Sequence, residues 1–147
     1  QRCGGSPEAH SLLAILGEAA KGCKEEFYSR HLAGAFYGLQ RCQDGSEFRC
    51  LLAALAPKVS SCPEALTSQS IANILYGLQG SQSSNEQRMV FTALLPKIHE
   101  CRQDFKAFEV SMAVHGLQSC TADCTEALQV LEALLPKIEA CEDSLKN

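Results

Sequence analysis

Cysteine is the residue type in this chain with the greatest capacity for chemistry, because nine of the 147 residues are cysteines. Four of them close the same sequence block each time it appears, at Cys23, Cys62, Cys101 and Cys141. Equivalent positions in a stack of helices lie about 8 to 10 Å apart per unit. These four thiols therefore cannot all lie about 2.3 Å from one zinc ion. We predict instead that they are small buried residues at helix ends, a role that reduced cysteine often fills.

Four of the remaining cysteines lie in two polar turns and are candidates for disulfide bonds. Cys42 and Cys50 flank one such turn, and Cys120 and Cys124 occupy the corresponding turn of a later unit. Each pair could bond only if its Cα atoms lie within roughly 4.4 to 6.8 Å, and free thiols are the alternative. Bonded pairs would indicate an oxidising compartment, such as an organelle lumen or an intermembrane space.

Lysine recurs in the same regular way, since Lys58, Lys97 and Lys137 each follow a proline. Glu100 and Glu139 lie close by in sequence, so we predict a solvated face of mixed charge rather than a basic ladder. The histidines and cysteines show neither His-x3-His nor Cys-x2-Cys spacing, and no nucleophile elbow or phosphate-binding glycine loop is present. The sequence therefore predicts a protein that is not an enzyme and that has no metal site and no cofactor.

Two alternating sequence blocks position these residues, and the first has a fixed period. It reads HLAGAFYGLQ, SIANILYGLQ and EVSMAVHGLQ, and it closes at Gln40, Gln79 and Gln118, a step of 39 residues. Such a period is the signature of a stacked repeat. Apolar residues recur at i, i+4 and i+7 in every copy, which predicts one buried stripe on a helix. The three stripes are Leu32, Phe36 and Leu39; Ile71, Leu75 and Leu78; and Val110, Val114 and Leu117.

The second block contains the recurring proline. It reads CLLAALAPKVSSC, MVFTALLPKIHEC and QVLEALLPKIEAC, and a degenerate copy, LLAILGEAAKGC, comes first. A proline inside a helix removes a hydrogen bond and clashes with the preceding turn. Its recurrence at Pro57, Pro96 and Pro136 predicts either a kink or a helix that restarts there.

Together the blocks predict an all-α fold, a right-handed α-solenoid of antiparallel helix pairs with about 3.5 repeats of 39 residues and seven helices. Glycines at the end of each first-type helix, Gly38, Gly77 and Gly116, would let neighbouring helices approach closely. We predict A helices at roughly 25–40, 64–79 and 103–118, and B helices at roughly 9–22, 46–61, 85–100 and 125–141. Residues 1–147 would form a single domain, with a half repeat at 9–23, repeats at 24–62, 63–101 and 102–141, and a polar tail at 142–147.

The overall composition and charge limit the classes of function that the chain can have. Hydrophobic residues make up 46% of the chain and charged residues 20%, which is ordinary for a folded domain. The net charge of -4 has the wrong sign for a protein that binds by neutralising phosphates. Apolar runs are too short to cross a bilayer. Because the chain begins at Gln1, we expect its natural start, with any targeting peptide, to lie upstream.

The string from Thr67 to Gly80, TSQSIANILYGLQG, resembles the octotricopeptide-type repeats of algal and protist organelle proteins. The residues that carry the resemblance are Ser68, Ile71, Ala72, Asn73, Leu75, Tyr76 and Leu78. Gly34 and Met112 replace Asn73 in the other copies, and His115 replaces the aromatic residue, so the chain resembles a divergent branch.

The resemblance implies single-stranded RNA binding through variable positions on the A helices. Mapped residue by residue, these positions are Arg30, His31, Gly34, Gln69, Ser70, Asn73, Phe108, Glu109 and Met112. Such a column would contact one base per repeat, as in other helical repeats that bind RNA. Three repeats would contact about three bases, and Glu109 would repel phosphate.

The sequence therefore favours a non-catalytic scaffold or structural subunit that docks onto a larger organellar complex, for example a photosynthetic or ribosomal one. Its partners would be other protein subunits, and peripheral association with a membrane complex is compatible with this role. The alternative is an organellar protein that binds single-stranded RNA and acts in RNA processing, stability or translation. The resemblance implies an organellar location, with the chloroplast preferred over the mitochondrion, and bonded cysteines would indicate an oxidising lumen.

Overall fold

The protein is a stack of helices with the predicted all-α architecture. The structure, a computed structural model, describes residues 6–141, and within that range it contains seven helices and no strand. The predicted polar tail at 142–147 lies outside the described residues. The helices are α1 (Pro7–Gly22), α2 (Ser29–Gly38), α3 (Ser46–Ser60), α4 (Ser68–Gly77), α5 (Asn85–Glu100), α6 (Ala107–Gly116) and α7 (Thr125–Glu139).

The helices form two layers because each packs chiefly on the second helix before and after it. The B helices α1, α3, α5 and α7 follow one another in one layer, and the A helices α2, α4 and α6 do so in the other. This order of contacts confirms the helical repeat arrangement. The right-handed sense and the division into 3.5 units stay predictions.

The recurring prolines do not interrupt the B helices. Pro57, Pro96 and Pro136 lie inside the continuous helices α3, α5 and α7. All three are exposed, so water can reach the carbonyl groups that a proline leaves without an intrahelical donor. The helices therefore run through the prolines rather than restarting at them.

The repeated lysines are only partly exposed, unlike the predicted solvated face, and they cap neighbouring B helices. The predicted mixed charge is present at Lys97, whose Nζ lies 3.7 Å from a carboxylate oxygen of Glu100. Lys58 donates to the carbonyl oxygen of Cys23, and Lys137 donates to that of Cys101. The Lys97 Nζ donates over 3.1 Å to the carbonyl oxygen of Cys62. The last carbonyls of a helix have no intrahelical partner and carry partial negative charge. Each lysine therefore satisfies the end of the preceding B helix.

The A helices begin four residues later than predicted, at Ser29, Ser68 and Ala107. The linkers before them carry an apolar residue, of which Leu66 and Phe105 are buried in the core and Phe27 is partly buried against it. Each of these precedes the helix N-cap, the usual position of a residue that fixes the entry angle of the chain. The linkers are therefore packed but not helical.

The predicted stripes are buried in α2 and α4 but not in α6. The stripe residues of α2 and α4 are all buried, whereas Val114 is 48% exposed and Val110 and Leu117 are only partly buried. No later A helix lies beside α6 within the described residues. The last copy of the stripe therefore lacks a cover.

Two of the three repeated glycines allow close helix contact, as predicted. A Cβ atom built on Gly77 would lie 2.1 Å from the carbonyl oxygen of Phe36, and one on Gly116 would lie 2.0 Å from that of Leu75. Real Cβ atoms do not approach so closely. A Cβ on Gly38 would meet nothing within 4 Å, because α2 is the first A helix.

In the described range, none of the helices is both long enough and apolar enough to cross a membrane.

Candidate functional site

A polar groove lies between α2 and α4 and brings together five of the predicted site residues. It has a volume of about 660 Å³. The five residues are Arg30, Gly34, Gln69, Ser70 and Asn73. We call this cavity the A-helix groove. Arg30 and Gln69 are exposed, and Asn73 is partly buried. The groove therefore presents one cation, two amides and the exposed carboxylate of Glu64 to a ligand.

The hydroxyl groups of the groove bond to one another across the two helices. Ser29 Oγ donates to Ser70 Oγ over 2.8 Å, and Thr67 Oγ1 is 2.9 Å from Ser70 Oγ. Thr67 Oγ1 also accepts from the Ser70 backbone N–H, which caps α4. Ser70 is buried, so its hydroxyl ties α2 to α4 rather than facing a ligand.

His31 and Glu109 cap their helices in a related way. His31 Nδ1 accepts from the Tyr28 backbone N–H over 3.3 Å, and Glu109 Oε2 accepts from that of Lys106 over 2.9 Å. Glu109 is only 3% exposed. These contacts give positions 31, 70 and 109 a structural role at the N-termini of the A helices. Ligand contact by these three residues stays a prediction.

The third repeat does not extend the A-helix groove. Phe108 is exposed and Met112 is partly buried, and neither lines the groove. The A-helix groove therefore contains predicted positions of the first two repeats and none of the third.

A row of rings crosses the other end of the A helices and was not among the predicted site residues. Tyr37 stacks on Tyr76 with ring centroids 6.1 Å apart, and Tyr76 lies 5.5 Å from the ring of His115. Gln79 Oε1 lies 2.7 Å from His115 Nε2. These residues belong to the repeated YGLQ and HGLQ strings, so the sequence held the signal. We call Tyr37, Tyr76 and His115 the ring ladder.

Neither predicted disulfide is formed in this structure, since Cys50, Cys120 and Cys124 are free thiols. The pKa of Cys120 is raised to about 11, first by burial and then by the nearby Cys124 thiol. Cys62 and Cys101 are buried at the ends of α3 and α5, as predicted, whereas Cys23 and Cys141, which follow α1 and α7, are only partly buried. Within residues 6–141, no group of three His, Cys, Asp or Glu side chains is placed to hold a metal ion.

Both ends of the stack expose apolar side chains, and several of them have buried apolar equivalents in a neighbouring repeat. On α1 these are Leu12, Ile15 and Leu16. Their equivalents one repeat later, Leu51, Ala54 and Leu55, are buried. On α6 and α7 the exposed residues are Val114, Leu128, Leu131 and Leu135. We call these two surfaces the N-terminal and C-terminal end faces.

The fold and these surfaces define the chain as a helical-repeat protein. Comparison with protein-family models, curated proteins and solved structures finds no match. The resemblance to octotricopeptide-type repeats therefore stays a prediction from the sequence.

Proposed function

We propose that this chain is a non-catalytic scaffold subunit that docks by its end faces onto a larger organellar assembly. A photosynthetic or ribosomal complex of a chloroplast is the assembly that the sequence resemblance favours. Association with a membrane complex would be peripheral. An oxidising lumen remains part of the proposal only if the cysteine pairs are bonded in the cell.

The observation that carries this proposal is the exposed N-terminal end face. Ile15 is 66% exposed and Leu12 is 57% exposed, on the side of α1 that points away from α3. Repeat proteins need terminal units with polar outer faces to remain soluble on their own. Contiguous exposed apolar surface usually marks a site of protein interaction. Within residues 6–141 the terminal helices α1 and α7 both expose apolar side chains, which suits docking between other surfaces.

Size fractionation of an organelle extract tests the proposal. The tagged wild-type chain should migrate with a large assembly, and Ile15→Asp should shift it to fractions of its own mass. Ala14→Asp is the matched control, because it adds the same charge on the exposed outer side of the same helix. Both variants should keep the wild-type circular dichroism spectrum. Wild type that migrates as a single chain would contradict the proposal.

Single-stranded RNA binding is the second candidate function, and the A-helix groove favours it. The groove presents Arg30, Gln69 and Asn73, side chains that can contact phosphates and base edges. The ring ladder offers exposed aromatic surface, with Arg41 nearby in a second polar cavity that includes Tyr76. The net charge of -4 opposes this function.

The same fractionation separates the two candidates. If RNA is the partner, ribonuclease should release the wild-type chain from the large fractions. Arg30→Ala with Gln69→Ala should do the same, and Ile15→Asp should not. If the chain is a docked scaffold, ribonuclease and the groove variant should leave its migration unchanged.

A further inference from the structure

The N-terminal end face contains an apolar groove that runs along α1 and α2. It has a volume of about 380 Å³. Its walls include Leu16 and Ala20 of α1, Phe27 of the linker, and Ala35 of α2 with the C-cap residue Leu39. Leu51 and Leu55 of α3 also line it. We call this groove the N-terminal seat. Its lining has the composition of a protein core, although it is open to solvent.

The same positions one repeat later are closed. Leu16 is exposed and Ala20, Phe27 and Ala35 are partly buried, whereas their equivalents Leu55, Val59, Leu66 and Ile74 are all buried. There α2 packs along α4 as the preceding A helix. No A helix precedes α2 within the described residues. The N-terminal seat is therefore the place that an A helix fills in the next repeat.

Gly38 adds a second feature to the seat. Its equivalents Gly77 and Gly116 present bare backbone to the carbonyl group of the preceding A helix. Gly38 presents the same bare backbone to open space. An incoming helix could therefore approach α2 as closely as α2 approaches α4.

Glu25 adds a third feature. One repeat later, Glu64 Oε1 accepts from the Ser29 backbone N–H over 2.8 Å, at the first turn of α2. Two repeats later, Gln103 Oε1 accepts from the Ser68 N–H over 3.1 Å, at the first turn of α4. Glu25 is the equivalent residue and its side chain is exposed. Its carboxylate could accept from the first turn of an incoming helix, where a negative charge is favourable.

We propose that the N-terminal seat binds one amphipathic helix of about ten residues, contributed by the docking partner. This helix lies beside α2 as α2 lies beside α4, with its first turn at Glu25 and its last turn at Gly38. It presents apolar residues at i, i+4 and i+7, like the stripe of α2. The inference rests on the docking function proposed above and names the segment that docks.

A second copy of this chain does not fit the seat as its occupant. The A helix with an uncovered stripe is α6, which exposes Val114. In this fold a B helix follows each A helix in the chain, and the B helix that follows α6 is α7. A helix in the N-terminal seat takes the position of the A helix before α1, so α1 already occupies the position of the B helix that would follow it. Seating α6 of another copy against α2 would therefore place its α7 where α1 already lies.

A helical peptide tests the proposal with the full chain. The probe is a fluorescein-labelled peptide of residues 66–80 carrying Gln69→Lys and Asn73→Asp, which are joined by a lactam. The lactam is needed because isolated helices of this length are marginal in water. Titration followed by fluorescence anisotropy should give saturable binding. Gly38→Ala should weaken that binding at least tenfold.

Two control variants isolate the contacts. Gly22→Ala makes the same substitution at the end of α1, also in open space, and should leave binding unchanged. Glu25→Ala should weaken binding, whereas Glu26→Ala should not. Failure of the peptide to bind at millimolar concentration, or equal weakening by Gly22→Ala and Gly38→Ala, would overturn the proposal.

Sedimentation of the wild-type chain supplies the remaining outcome. A dimer that Gly38→Ala dissociates would overturn the proposal by assigning the seat to a second copy. The fractionation of the organelle extract, in which Ile15→Asp should shift the chain away from the large assembly, does not use the peptide. A negative peptide result would therefore leave the docking function standing.

Discussion

The middle of the stack and its two ends carry the same sequence pattern in different surroundings. Leu55 of α3 is 3% exposed, whereas its equivalent Leu16 of α1 is 44% exposed. Leu75 of α4 is fully buried, whereas its equivalent Val114 of α6 is 48% exposed. The repeated residues therefore define a surface that stacks on a neighbour. Whether that surface becomes core depends on whether a further helix covers it.

The largest expected difference in stability is between two equivalent leucines, one in the middle of the stack and one at its end, when each is replaced by alanine. Leu55→Ala should lower the free energy of unfolding by about 3 kcal/mol, because it leaves a cavity in a packed core. Leu16→Ala should lower it by less than about 1 kcal/mol, since much of that side chain is already in water. Urea denaturation of both variants measures the difference. Equal losses would mean that α1 packs as tightly as α3.

The glycines should show the next largest contrast, and with opposite signs. Gly77→Ala should destabilise the fold by about 2 kcal/mol, because its Cβ would collide with the carbonyl oxygen of Phe36. Gly38→Ala should stabilise it by up to about 1 kcal/mol, because alanine is the better helix former and its Cβ meets no neighbour. Thermal melts of the two variants should shift in opposite directions. A loss of stability in Gly38→Ala would show that something already covers α2.

The features that repeat with the 39-residue period could be predicted from the sequence. The step of 39 residues and the apolar stripes gave the seven helices and the glycine contacts at Gly77 and Gly116. A period cannot reveal that the last stripe lacks a cover. That depends on which helix follows in space, and Val114 has the same sequence context as Leu75.

The contacts of long polar side chains were not predictable from the sequence. Lys97 donates to a carbonyl group 35 residues earlier in the chain. The sequence shows only that Glu100 lies nearby, and this favoured a solvated face of mixed charge. The start of each A helix was missed for a related reason. Glu64 and Gln103 looked like residues of a first helical turn, but their side chains cap the first turn of the preceding A helix.

The candidate site was predictable only in part. Positions 30, 34, 69 and 73 were taken from the sequence resemblance and do line one groove. Ser70 and Glu109 lie in the equivalent first turns of the A helices. Both are buried, and their side chains are hydrogen-bonded to neighbouring groups of the protein. Helix periodicity places a residue on a face, whereas capping depends on the linker before the helix.

The lysine caps should show no contrast between middle and end, because each B-layer contact contains one. Lys97→Met should lower the free energy of unfolding by about 1.5 kcal/mol, the usual contribution of a hydrogen bond with one charged partner. Lys137→Met, at the end of the stack, should have a similar effect. Lys21→Met is the control, since that lysine makes only an exposed ion pair with Glu18. A much smaller loss for Lys137→Met would indicate that α7 is loosely attached.

The smallest expected effect is on the reactivity of one thiol, in a turn that differs between the middle and the last repeat. In the middle, Ser81 is buried and donates to the carbonyl oxygen of Leu78, and it accepts from Gln87 Nε2. The equivalent residue in the last repeat is Cys120, which has a thiol pKa of about 11. Only the thiolate reacts with iodoacetamide. Alkylation of Cys120 should therefore be slow at pH 8 and should accelerate about tenfold per pH unit up to pH 10.

Mass spectrometry of the reduced protein can follow this reaction site by site. The exposed Cys50 should be alkylated first, and Cys120 should remain unmodified until the pH is raised. Protein isolated without reductant addresses the predicted bond between Cys120 and Cys124. If neither residue is alkylated at pH 10 until reductant is added, the two thiols are bonded in the cell, and the oxidising compartment gains support. If both are alkylated without reductant, the two thiols are reduced in the cell, and the partly buried Cys120 takes the place of the Ser81 hydroxyl without forming a bond to Cys124.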